Sequence, residues 1–140
     1  MGQLAIVVAI DAPAVLKANS FEGNTYLIDS NKNGGSKHEG TDHLVTQVVG
    51  AQILNWLIAD TSYSMEPEIV AVIGKAVDKG VMVPVQNGSP VLGDSQGLWW
   101  GATVDSNKEG TYPYILQVKM GEVTMDLPMR VNVKKAFSDV

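Results

Sequence analysis

The sequence predicts an all-β protein, an antiparallel β-sandwich of roughly eight or nine strands with one short helix after the first strand. Three observations carry that prediction. Fourteen glycines and six prolines cut the 140 residues into short apolar runs of strand length. Many of those runs are rich in valine and isoleucine, whose branched side chains suit a pleated surface. One run alternates cleanly: Val123, Met125, Leu127, Met129, Val131 and Val133 are interleaved with Thr124, Asp126, Pro128, Arg130 and Asn132. That is the period of a strand with one buried face.

In chain order, Leu4–Ile10 reads as a buried strand because it is apolar without alternation. Asp11-Ala12-Pro13 before Ala14-Val15-Leu16-Lys17 supplies an N-cap, an early proline and one or two helical turns. Asn24–Ile28, His43–Val49, Ile69–Ile73, Val81–Val85, Leu98–Val104 and Tyr112–Met120 read as strands. In Ala51–Ala59 the residues Ile53, Leu54, Trp56, Leu57 and Ile58 satisfy neither period; Gly50 before and Asp60-Thr61-Ser62 after leave little room for a helix, so it is assigned as a strand. Asn87-Gly88 marks a hairpin turn. Pro128 cannot donate to a ladder, which places the last strand at an edge or gives it a bulge.

Composition narrows the function. A mass of 15.0 kDa predicts a single domain, 1–140, with its own core. Net charge is −5 and the basic residues are scattered, with Lys134-Lys135 the only adjacent pair, so neither a nucleic acid nor an anionic membrane is an expected partner. The absence of cysteine removes disulfides, thiolate metal sites and cysteine nucleophiles. Leu4–Ile10 has no preceding Lys or Arg and is too short for a signal peptide, and no apolar run reaches the length of a membrane span.

Four stretches could carry chemistry. Asp29-Ser30-Asn31-Lys32-Asn33-Gly34 has the front half of a calcium loop, and its first four letters return as Asp105-Ser106-Asn107-Lys108. The twelfth position, which should hold a bidentate carboxylate, is Gly40 in the first copy and Leu116 in the second, so both read first as polar turns. Asp29, Asn31, Asn33, Glu39 and Asp42 remain as weak metal candidates; no metal or cofactor is expected. His38 and His43 lie five apart rather than the four that puts two ligands on one helical face, so their segment reads as a solvated loop. Gly93-Asp94-Ser95-Gln96-Gly97 matches a nucleophile elbow, and His43, Asp60 and Ser95 fall in the order of a serine-protease triad, but the flanks lack the strand-then-helix that an elbow requires. Trp99-Trp100, on opposite faces of a strand, should put one indole in the core and offer the other as a platform. Met120, Met125 and Met129 read as adaptable core filling.

The chain as a whole resembles the bacterial AidA/PixA inclusion-body family. The similar residues are Ile6-Val7-Val8-Ala9-Ile10-Asp11, then Leu16-Lys17-Ala18-Asn19, Tyr26-Leu27-Ile28, Gly40-Thr41-Asp42-His43-Leu44, and Val49-Gly50 running through Trp56 to Asp60-Thr61-Ser62. The sequence departs from that pattern at Ala51, where Asp usually follows Val-Gly. The resemblance implies a small cytoplasmic bacterial protein without catalytic residues, linked to quorum-sensing or stationary-phase expression and to host interaction. The expected function is therefore non-catalytic, with homo-oligomers formed through sheet edges or an exposed aromatic face. The alternative is a lectin-like module that holds a carbohydrate or small molecule through Trp99, Trp100, Asp29, Asn31, Asp105 and Asn107; a small serine hydrolase is the minor alternative.

Overall fold

The computed structural model describes residues 2–32, 34–86 and 100–135. Their elements, in chain order, are β1 (Gly2–Ile10), α1 (Ala12–Ala18), β2 (Thr25–Asp29), β3 (Val45–Val49), β4 (Gln52–Asp60), β5 (Glu68–Ile73), α2 (Lys75–Asp78), β6 (Met82–Gln86), β7 (Trp100–Val104), β8 (Gly110–Met120) and β9 (Val123–Lys134). A five-stranded sheet of order β2-β1-β4-β7-β6 lies against a four-stranded sheet of order β3-β9-β8-β5. The predicted all-β sandwich and the helix after its first strand are both present. Two pairings, β1 with β4 and β3 with β9, are parallel, so the sheets are mixed rather than wholly antiparallel. Side-chain alternation says which face of a strand is buried but nothing about its direction. The chain visits the other sheet between β1 and β4, and again between β3 and β9, and returns each time in the original sense.

Local signals explain most boundaries. Asp11 Oδ1 accepts the amide of Ala14, proline occupies the first turn, and Asn19 closes α1 in the left-handed conformation at φ 52°. The aperiodic segment is indeed a strand, β4. It is the central strand of its sheet, with Leu54 and Trp56 buried inward and Asn55 buried on the other face, which erases the alternation that period counting needs. Helix α2 has four residues and no side-chain cap, so nothing in the sequence announces it. It starts at Gly74, whose φ of 109° and close approach to the Tyr114 backbone leave no room for a side chain.

Pro128 corrects one expectation. β9 lies between β3 and β8, and its register with β8 is continuous through Pro128, so it is neither an edge strand nor bulged there. β3 joins only at Arg130, and residues 123–129 pair with β8 alone; the missing donor thus falls on a stretch that is open on one side. The hairpin turn assigned to Asn87-Gly88 lies outside the described residues.

The core sits between the sheets. Ile6, Val8, Leu54 and Trp56 from one side meet Tyr114, Leu116, Leu127 and Val131 from the other. At its centre the Trp56 indole donates to the Tyr114 hydroxyl at 3.0 Å, with ring centroids 5.7 Å apart and planes tilted by 59°. Met120 and Met129 are buried and Met125 packs against the core, as core filling should. The inward face of β9 frays at its hairpin end, where Val123 is 43% exposed.

Candidate functional site

The most unusual surface is the outer face of the five-stranded sheet. Strand register lays it out in four rows: Ile28, Val7 and Leu57; Tyr26, Ala9 and Ala59; Ala5, Asn55, Gly101 and Val85; Gln3, Ile53, Thr103 and Val83. No position among them is charged at neutral pH, and the Asn55 amide donates to Gln3 within the face itself. Tyr26 and Ile28 stand exposed on edge strand β2, Val83 and Val85 on edge strand β6, with Val7 beside the first pair. The other sheet's outer face is ordinary by comparison: Glu68 opposes Lys119, Gln117 Nε2 donates to Asp126, and Arg130 projects nearby. The signal for the apolar face was present in Leu4–Ile10, where polar residues fail to alternate. The strand expected there to be buried is buried on its inner face, and the face over Val7 is open.

Both Asp-Ser-Asn-Lys stretches close the same side-chain-to-backbone bond. Asp29 Oδ1 accepts the Asn31 amide at 2.9 Å, and Asp105 Oδ1 accepts the Asn107 amide at 2.9 Å. The Asn31 amide group bonds the Gln47 carbonyl and lies where any Cβ at Gly34 would collide with it. Of the metal candidates, Asp29 and Glu39 come together: Glu39 Oε1 accepts the Asp29 amide at 2.8 Å. Asp42 is elsewhere, accepting the Gly23 amide at 2.8 Å and facing His43 Nε2 at 3.1 Å. Asn33 lies outside the described residues. His38 takes φ 66° and its carbonyl receives the Thr41 hydroxyl, a turn function. Among the described residues no three His, Asp or Glu side chains group as metal ligands.

Of the triad suggested by residue order, His43 and Asp60 are engaged in separate contacts. His43 pairs with Asp42, while both carboxylate oxygens of buried Asp60 are fully engaged by the amides of Ala12, Ser62, Ser64 and Met65 and by the hydroxyls of Ser62 and Ser64. Burial alone would push the Asp60 pKa up; these donors outweigh it and hold the carboxyl far below the usual carboxylate range. Asp60 is thus a knot that ties the start of α1 to the loop after β4. Ser95 and Trp99 lie outside the described residues. Trp100 is half-buried and its indole N–H donates to the Ile69 carbonyl at 2.7 Å, which ties β7 to the facing sheet.

Where β9 is open on one side, a cleft of about 420 Å³ forms between residues 19–22, Asp42-His43 and Met125–Arg130. Its floor includes buried Phe21 and Leu127, and its rim carries Glu22, Asp126, His43 and Arg130. Sequence reasoning missed this cleft, because it joins segments more than eighty residues apart.

Comparison with known proteins fits this architecture. Residues 2–126 match the family described as a domain of unknown function, DUF8788. The crystal structure of the inclusion body protein PixA from Burkholderia cenocepacia J2315 is similar, with a TM-score of 0.55 and 12% identity over 98% of this chain and 96% of that one. No curated protein matches. Identity at that level speaks for fold alone, and at that level the likeness to the AidA/PixA family drawn from the sequence is borne out. The chain belongs to the DUF8788 family and shares its sandwich fold with the inclusion body protein PixA.

Proposed function

We propose that this is a non-catalytic protein whose activity is self-association through the outer face of the five-stranded sheet. The observation that carries the reading is the absence, among the described residues, of any charged residue on that face, in a chain with twenty-five Asp, Glu, Lys and Arg residues. Two copies, each with a net charge of −5, approach most easily where neither presents charge, and there each removes Tyr26, Ile28, Val7, Val83 and Val85 from water. A second copy therefore fits this surface better than a charged partner does. Likeness to an inclusion body protein supports the same reading, as does the engagement of Asp60 and His43 in structural contacts. Accumulation in the bacterial cytoplasm, under quorum-sensing or stationary-phase control and with a role toward a host, is the setting that the family resemblance supports.

The test is light scattering after size-exclusion chromatography over a range of protein concentrations. The wild type is expected to form oligomers, and the Val7→Lys/Ile28→Lys double variant to be monomeric with an unchanged circular dichroism spectrum. A wild type that stays monomeric at the highest concentration, or a double variant that still assembles, would sink the proposal.

A second reading, the lectin-like one, is favoured by the cleft rather than by Trp100. An apolar floor with a mixed polar rim suits a small polar ligand such as a sugar, and among the described residues the Arg130 guanidinium has no partner. Glycan binding that is lost in Arg130→Ala would support it, and a blank glycan array would remove it.

A further inference from the structure

Asp29 closes β2 with its side chain turned inward, and it is only 7% exposed. Its Oδ1 receives the Asn31 amide, and Glu39 Oε1 receives the amide of Asp29 itself. The remaining oxygen of each, Asp29 Oδ2 and Glu39 Oε2, is buried and meets no donor among the described residues, although the two carboxyl groups lie within hydrogen-bonding reach of each other. Two ionised carboxylates cannot rest in this arrangement, because each buried oxygen lacks the donor that replaces water and faces a like charge. Among the described residues no third acidic or histidine side chain joins the two, and two carboxylates alone are too few to replace the oxygen shell of calcium. A single proton between the two carboxyl groups would supply the donor that both oxygens lack.

We propose that Asp29 and Glu39 share a single proton in the folded protein, and that this proton fastens residues 37–41 along the outer edge of β2. The fastened segment is what covers that edge. The Gly40 amide donates to the Leu27 carbonyl at 2.7 Å, the Leu27 amide donates to the Thr41 carbonyl at 3.1 Å, and Lys37 bridges Val45 beyond. An open strand edge is a template for pairing with another chain, so the clasp governs access to it.

The charged and titratable groups around the pair agree. Burial pushes the Glu39 pKa up and the Asp29 carboxyl adds to the rise, while the Asp29 amide and Lys32 in the adjoining turn pull the other way. From β8 the buried Tyr114 hydroxyl also feels the Asp29 charge. The folded state thus holds a proton that the unfolded chain releases, so the stabilisation is complete below the ordinary glutamate pKa. It is lost as pH rises through the raised value, when the proton passes to solvent and the two carboxylates repel.

The experiment follows side-chain carboxyl carbons by NMR while pH is raised, together with hydrogen exchange at Gly40 and Leu27. Glu39 is expected to titrate at a midpoint above the usual glutamate range. Protection of the two amides, corrected for intrinsic exchange, should fall about tenfold or more across it. In Glu39→Gln the new amide donates to Asp29 Oδ2 as the acid would, so protection should stay level with pH. A Glu39 midpoint in the ordinary range, or amide protection that does not change across the Glu39 midpoint, overturns the proposal. Millimolar calcium that restores wild-type protection at high pH also overturns it, because a cation and not a proton would then fill the gap.

Discussion

Asp60 shows how much one side chain can organise. Its carboxylate accepts from four backbone amides and two serine hydroxyls, which together fix the entry to α1 and the loop through Met65. Asp60→Asn replaces an acceptor with a donor in a site full of donors and should lower stability by about 2 kcal/mol or more at pH 7, as read by urea unfolding. The folded pKa is depressed, so this contribution is present above the unfolded value of about 3.9 and fades as pH falls below it. The gap between wild type and variant should therefore narrow between about pH 4 and pH 2. Trp56 is the second such residue. Trp56→Phe removes the donor to the Tyr114 hydroxyl and leaves a void between the sheets, for an expected loss of about 2–3 kcal/mol in the same assay.

At the scale of elements, the short helix and the strand edges matter most. α1 has seven residues, too few to persist alone, so its caps and its buried Ala12 and Val15 hold it. Asp11→Ala removes the side-chain cap and should cost about 1 kcal/mol, again by urea unfolding. The two edges of the five-stranded sheet are guarded differently. β6 carries Pro84, which has no N–H to offer a neighbour. β2 is covered by Gly40 and Thr41, which is why the Asp29–Glu39 clasp bears on the exposure of that edge. β9 shows the converse case, where a partner strand starts late and leaves room for a cleft.

Across the whole molecule, charge is sorted by sheet. One outer face carries Glu68, Lys119, Asp126 and Arg130, and the other carries no charge among the described residues. Association through the uncharged face should not weaken when salt rises from about 0.05 to about 0.5 M, since screening relieves repulsion between acidic copies and leaves apolar burial intact. Sedimentation at the two salt concentrations measures this, and a marked weakening at high salt would assign the contact to ion pairs instead. Among the described residues no helix is long and apolar enough to cross a membrane.

What the sequence determined by itself was local. Period-two alternation in β9 marked its buried face, Asp11 and Pro13 marked the start of α1, and Asp followed by Asn two residues on marked both polar turns, because each of these signals acts over a few residues. The tertiary structure alone decided strand direction, the one-sided neighbourhood of Pro128, the knot at Asp60 and the meeting of Asp29 with Glu39. The apolar outer face belongs to the same group: the run around Val7 hinted at it, but only the register that sets Tyr26, Val7, Leu57 and Val85 on one surface made it a face. Such features depend on which strands become neighbours, and that is settled by burial summed over both sheets rather than by any short stretch of chain.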